Sequence, residues 1–253
     1  MRPHFTHASY RELLAAAESS GYSAHGFGEL PQPNMPTPAL LLRHDCDNDL
    51  VAASAMAQIE AEVGVRSTYF LMIRSALYNL LSLPNLRLAH QIADCGHWIG
   101  LHFDEAGVAG VPADAVAAAV DRERSLLGIE LGIDIDAVSL HQPTQRALDG
   151  EYRLNCVNTY DRTDTAGFEY LSDSNTIWKE DPFEVFRTRR YPRLQLLIHP
   201  EWWTKRAMTV TAKWERMLKH NFELMQTSML EREGAYTEPL AIGFRRGRED
   251  ARR

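Results

Sequence analysis

From residue 39 onward the chain alternates two kinds of hydrophobic pattern. Short apolar or β-branched runs occur at ALLLRH (39–44), RSTYFLM (66–72), HWIGLHF (97–103), DAVSLHQP (136–143) and RLQLLIHP (193–200). Runs of that length between turn residues predict buried strands. Between them lie stretches of helical length: DLVAASAMAQIEAEVG (49–64), NLRLAHQIADCG (85–96) and ADAVAAAVDRERSLLG (113–128). Each ends in a glycine, the residue best suited to a helix C-terminus. Residues 9–19 predict an opening helix with Ser9 as its N-cap, and 207–232 predict a long closing one. Four prolines within 30–38 break regular structure ahead of the first strand. The stretch 144–190 is less regular, with one predicted strand at GFEYLS (167–172).

Strands alternating with helices imply a parallel sheet. No GxGxxG or GxxxxGK[ST] follows any strand, which removes the usual phosphate-binding readings. We expect one α/β domain over 1–253, with its core at 39–200. Residues 1–38 form an N-terminal helix and Pro-rich lead-in, and 201–253 a C-terminal helix and basic tail.

The polar residues carry the functional signal. The strands stay apolar until their last residues and then end in His44-Asp45-Cys46-Asp47, His102-Phe103-Asp104, His141-Gln142-Pro143 and His199-Pro200. Parallel α/β folds place their sites at the C-terminal ends of strands. Four segments therefore deliver histidines or carboxylates to one edge. Asp45 and Asp47 are two apart, so an extended backbone points them the same way. His97 and His102 are five apart and face opposite sides, and His97 lies at the strand's start. Carboxylates beside imidazoles suit a divalent metal with N and O ligands, with a second carboxylate as base toward a bound water.

Composition narrows the partners. A net charge of −7 gives no nucleic-acid footprint, and the mixed-sign FRRGREDARR (244–253) reads as a solvated tail. Cys46, Cys95 and Cys156 form no CxxC pair and read as reduced, buried thiols. No run reaches the ~20 apolar residues of a membrane span. MRPHFTHASYRELL has no signal-like apolar segment, so a cytoplasmic location and a cytoplasmic small-molecule or glycan substrate are expected.

At these strand ends the sequence resembles the polysaccharide deacetylase (NodB-like carbohydrate esterase) family. HDCD (44–47) looks like its aspartate pair, STYFL (67–71) like its next strand, GHWIGLHFD (96–104) like its Gly-His-Glu-Ile-Gly-x-His stretch, and LLIHP (196–200) like its late histidine motif. SDSNTIW (172–178) resembles, more loosely, the Asp-and-Trp motif beside that histidine. The resemblance covers roughly residues 39–200. It implies a single distorted (β/α) barrel of seven strands that removes an N-acetyl or other small acyl group from an amino sugar or glycan precursor. It also implies Asp45 as general base, Asp47 and His102 as metal ligands, His199 as general acid, and Asp173 and Trp178 orienting and walling His199. The metal would be Zn2+, with Co2+, Mn2+ or Ni2+ compatible.

The pattern departs from the family twice. Ala106 stands where a further metal histidine is expected, and His141 in SLHQP falls at the family's arginine position. We expect His141 to supply the missing ligand. Two other readings remain: an amidohydrolase for a non-sugar amide, and a catalytically degenerate barrel that binds glycan. For His44 a packing role is expected, and His4, His7, His25, His90 and His220 belong to no constellation. Trp202 and Trp203 fit a packed core better than a sugar-stacking pair, and Arg43 and Arg74 fit solvated or paired arginines.

Overall fold

The computed structural model describes residues 4–30, 32 and 34–239, so the 244–253 segment lies outside the described residues, as do Pro31 and Pro33. The chain divides into two compact units, Met1–Ala207 and Met208–Arg253.

In the first unit the elements run α1 (His7–Ser19), β1 (Ser23–Ala24), β2 (Ala39–Cys46), α2 (Leu50–Glu62), β3 (Thr68–Leu71), α3 (Leu83–Asp94), β4 (Trp98–Asp104), α4 (Ala113–Leu131), β5 (Ala137–His141), α5 (Gln145–Leu148), β6 (Val157–Asn158), β7 (Glu169–Ser172), α6 (Pro182–Thr188) and β8 (Arg193–Ile198). The second unit holds α7 (Val210–Arg232), close to the predicted closing helix. No helix among the described residues is long and apolar enough to cross a membrane.

Two boundaries differ from the sequence pattern for identifiable reasons. Thr6, not Ser9, caps α1: its side chain accepts a hydrogen bond from the Ser9 N–H, which starts the helix two residues early. Helix α4 runs through Gly128 to Leu131 and ends at Gly132, whose φ of 69° is the left-handed turn a C-terminus needs. Gly128 instead makes room for the returning chain, since a Cβ there would meet the Ile133 carbonyl at 2.8 Å. The short elements β1, β6, α5 and α6 have too few residues to show a periodicity in sequence.

Every strand pairing is parallel, in the order β6-β5-β4-β3-β2-β8-β7, with β1 beside the start of β2. The seven strands curl into a half-barrel, and among the described residues no pairing joins β6 to β7. This is the distorted, seven-stranded (β/α) barrel that the family motifs imply.

Alternation along the strands sorts side chains between two faces. Tyr69, Leu71, Ile99, Leu101, Phe103, Val138 and Leu140 turn outward onto α2, α3 and α4 and form the larger core. Ala39, Leu41, Phe70 and Ala137 turn inward, where Phe27, Leu30 and Met35 of the lead-in pack on them. The Pro-rich approach thus plugs the lower end of the barrel with apolar side chains. Above this plug the inward positions become polar: Arg43 and Asp45 on β2, His102 on β4, Ser139 and His141 on β5. His44 and His97 lie on the outward face, around the fully buried Glu60 of α2. His44 Nε2 is 2.6 Å and His97 Nδ1 3.5 Å from its carboxylate, and Ser67 and Tyr69 donate to it at 2.5 and 3.1 Å. Cys46 is buried, whereas Cys95 and Cys156 are only partly so, and all three are free thiols.

Gly100, paired in register with Phe70, leaves the space that the inward Phe70 ring occupies: a Cβ there would lie 2.4 Å from the ring. Gly100→Ala is therefore expected to destabilise the fold by about 1–3 kcal/mol through overpacking. A urea melt showing a lower midpoint with unchanged slope checks this, and an unchanged midpoint refutes it.

Candidate metal and proton-transfer site

The strand register sets the site. His102 sits opposite Ser139, and His141 opposite Asp104, so the two histidines project inward from adjacent strands. Asp47 follows directly on β2 and reaches over to them. Its Oδ1 is 2.8 Å from His102 Nε2 and 3.4 Å from His141 Nδ1, and the two ring nitrogens are 3.2 Å apart. Among the described residues these three form a candidate metal site, their ligand atoms all within 4.8 Å of one another.

The donors fit a divalent cation. Asp47 Oδ1 is buried and has no donor aligned on it, close as the imidazoles are. Two ring nitrogens and a carboxylate oxygen facing one point supply the N/O set that zinc takes. Ligands around a tetrahedral ion at ~2.0–2.1 Å lie roughly 3.3 Å apart, close to the spacing found here. Burial raises the Asp47 carboxyl, but the adjacent His102 and His141 rings outweigh it and hold it well below the usual carboxylate range. The adjacent Asp47 carboxylate raises His141 above the ordinary imidazole value, against the effect of burial.

Asp45 lies beneath this cluster, 2% exposed. Its Oδ2 accepts hydrogen bonds from Arg43 Nη2 and Ser139 Oγ, both at 3.0 Å, and stands 4.0 Å from His102 Nδ1. Its Oδ1 is buried with no hydrogen-bond partner. One oxygen is thus pinned and the other available. Arg43 is fully buried, donates to Tyr160 Oη at 3.0 Å and stacks 4.9 Å from that ring's centre. Burial works against its charge, but Asp45 together with Tyr160 and Tyr170 outweighs burial and keeps the guanidinium protonated.

On the other side, His199 closes β8. Its Nδ1 is 2.7 Å from Asp173 Oδ1, its backbone N–H donates to the same carboxylate at 3.0 Å, and Trp203 Nε1 donates to Oδ2 at 2.9 Å. Burial opposes the charged imidazole, yet Asp173 outweighs it, helped by Glu201 and Asp47, and the His199 pKa is pushed up to about 10. Trp203, buried at 1% exposure, lies against Asp173, while Trp178 at 2% stacks on Phe5 and Trp202 at 9% is also interior.

The structure therefore brings together Asp45, Asp47, His102 and His141, and sets Asp173 against His199 close enough to Asp47 for their charges to interact. Three further residues join them: Ser139, Glu201 and Arg43, the last expected from the sequence only as a solvated or paired arginine. Arg43 and Ser139 had a visible signal: each precedes a site residue by two, on the same strand face. Glu201 had none. It is 5% exposed, accepts from Asn48 Nδ2 at 2.8 Å, and burial with the nearby Asp47 charge pushes its carboxyl up to about 8.

No protein-family model matches the sequence, and no curated protein does. Among solved structures, the chain is similar to the chitin deacetylase from the fungal pathogen Colletotrichum lindemuthianum, at 13% identity over 74% of this chain and 84% of that one, with a TM-score of 0.47. It is also similar to a family 4 acetyl xylan esterase from Clostridium thermocellum in complex with a cobalt ion, at 11% identity over 76% and 90%, TM-score 0.44. A third is a CE4 family pseudoenzyme from Bacillus anthracis, at 15% identity over 76% and 63%, TM-score 0.42.

Asp173→Asn is expected to lower the His199 pKa from about 10 towards the ordinary imidazole value of about 6.5. Imidazole NMR titration reads this directly. Because the folded pKa is raised, the charged pair stabilises the fold fully below about pH 6.5 and ceases to do so as pH rises through about 10. The stability gap between wild type and Asp173→Asn should narrow across that interval. A gap that widens with pH contradicts the assignment.

Proposed function

We propose that the protein is a metal-dependent deacetylase that hydrolyses an N-acetyl, or other small acyl, group on an amino sugar or glycan precursor. The observation that carries this reading is the meeting of Asp47, His102 and His141 at the strand ends that also hold Asp45 and His199. A divalent cation on those three side chains, Zn2+ before Co2+, Mn2+ or Ni2+, would lower the pKa of a water molecule and polarise the acyl carbonyl.

The remaining steps fall to the chain's own residues. Asp45 takes the proton of the attacking water on Oδ1, the oxygen left without a partner, while Arg43 and Ser139 hold Oδ2 and fix the carboxylate's orientation. As the C–N bond breaks, the departing amine needs a proton. His199 supplies it, held charged by Asp173 with its other ring nitrogen left for the substrate. Trp203, buried and bonded to Asp173, keeps water away from that carboxylate. One carboxylate beside an arginine and one imidazole beside a carboxylate thus divide the base and acid roles through their surroundings.

Two measurements test this. Asp45→Asn and His199→Ala are each expected to lower kcat by about 10²–10⁴ on an N-acetylated amino-sugar oligomer, with circular dichroism unchanged. Full activity in either variant rejects its role. The purified protein is expected to take up one Zn2+ or Co2+ per chain, lost in His102→Ala and weakened in His141→Ala. Failure of the wild type to bind either ion overturns the reading.

A further inference from the structure

After β4 the chain turns through a 3₁₀ segment, Glu105–Val108, in which Ala106 takes the place of a further histidine. The residue before it is buried at 4% exposure with a fully occupied carboxylate. Glu105 Oε2 accepts from the Thr144 backbone N–H at 2.8 Å, and Oε1 accepts from Thr144 Oγ1 at 2.9 Å and Tyr152 Oη at 2.7 Å. A buried carboxylate is costly unless donors surround it, and here three do.

The positions joined are informative. Glu105 lies three residues beyond His102, and Thr144 three beyond His141. The carboxylate therefore ties together the two strand ends that carry the imidazoles. Between His141 and Thr144 the backbone passes through Gln142 at φ 47°, the left-handed region that a residue with a side chain enters only at a cost. Such a turn persists only where its surroundings hold it. Glu105 holds its far end.

We propose that Glu105 is a positioning residue for the cation site, fixing the Gln142–Thr144 turn so that His141 Nδ1 meets His102 Nε2 and Asp47 Oδ1. It acts through His141 and touches no reacting atom. The inference rests on reading Asp47, His102 and His141 as cation ligands. It explains how a histidine on a neighbouring strand serves where the segment after His102 carries none.

The test uses the full-length protein and Co2+ alone, with affinity read from the visible absorbance and imidazole ligands counted by X-ray absorption. Wild type should bind one Co2+ through two imidazoles. Glu105→Leu should bind it about 10–100-fold more weakly, the usual effect of removing a residue that orients a ligand, and through one imidazole. In a His141→Ala background Glu105→Leu should cause no further loss. Should the leucine variant not fold, Glu105→Gln keeps one acceptor oxygen and should show a smaller loss in the same direction. Wild-type affinity and two imidazoles in the folded Glu105 variants overturn the proposal, as does an equal loss with and without His141. A wild type that takes up no Co2+ instead overturns the cation site itself.

Discussion

Two imidazole nitrogens and a carboxylate oxygen are held within 2.8–3.4 Å of one another at one end of a parallel sheet. Lone pairs placed so close oppose each other unless a positive charge lies among them, as a proton or a cation. Much of the surrounding structure serves to keep them there. The β4–β5 register sets the two histidines side by side, and the residues after β2 bring Asp47 across. These are short extensions of paired strands, so the atoms inherit the sheet's rigidity.

The same economy governs the charged groups around the cluster. Each buried carboxylate has its own donors: Asp45 has Arg43 and Ser139, Asp173 has His199 and Trp203, Glu105 has Thr144 and Tyr152, and Glu60 has His44, Ser67 and Tyr69. Burial without such partners would be costly. Glu201 shows the contrast. With Asn48 as its side-chain donor and Asp47 nearby, its carboxyl is pushed up to about 8. Beneath the polar groups, Phe27, Leu30 and Met35 seal the barrel floor. The site thus has an apolar floor beneath it.

Two departures from the pattern of the family that the sequence resembles meet in one place. The segment after β4 carries Ala106 where a histidine is expected, and β5 ends in His141 where an arginine is expected. In the structure His141 stands with Asp47 and His102, while Arg43, one step down β2, pairs with Asp45. Both kinds of side chain are present, but on different strands. Trp202 and Trp203 are interior residues, and Trp203 contributes by bonding Asp173.

The order of strands and helices was legible in the sequence because hydrophobic periodicity is local. So was the edge that carries the site, since each strand turns polar only at its end, and so was the pairing of faces within a strand, which would also have pointed to Arg43 and Ser139. The short β1, β6, α5 and α6 were not legible, being below the length at which a period shows. Nor were the contacts that complete the site. Nothing near Glu105 or Glu201 in the chain marks them, because their partners Thr144 and Asn48 lie 39 and 153 residues away. Sequence alone determined which residues face the barrel's open end. Only the tertiary structure decided which of them meet, because that depends on strand register and on turns held by distant side chains.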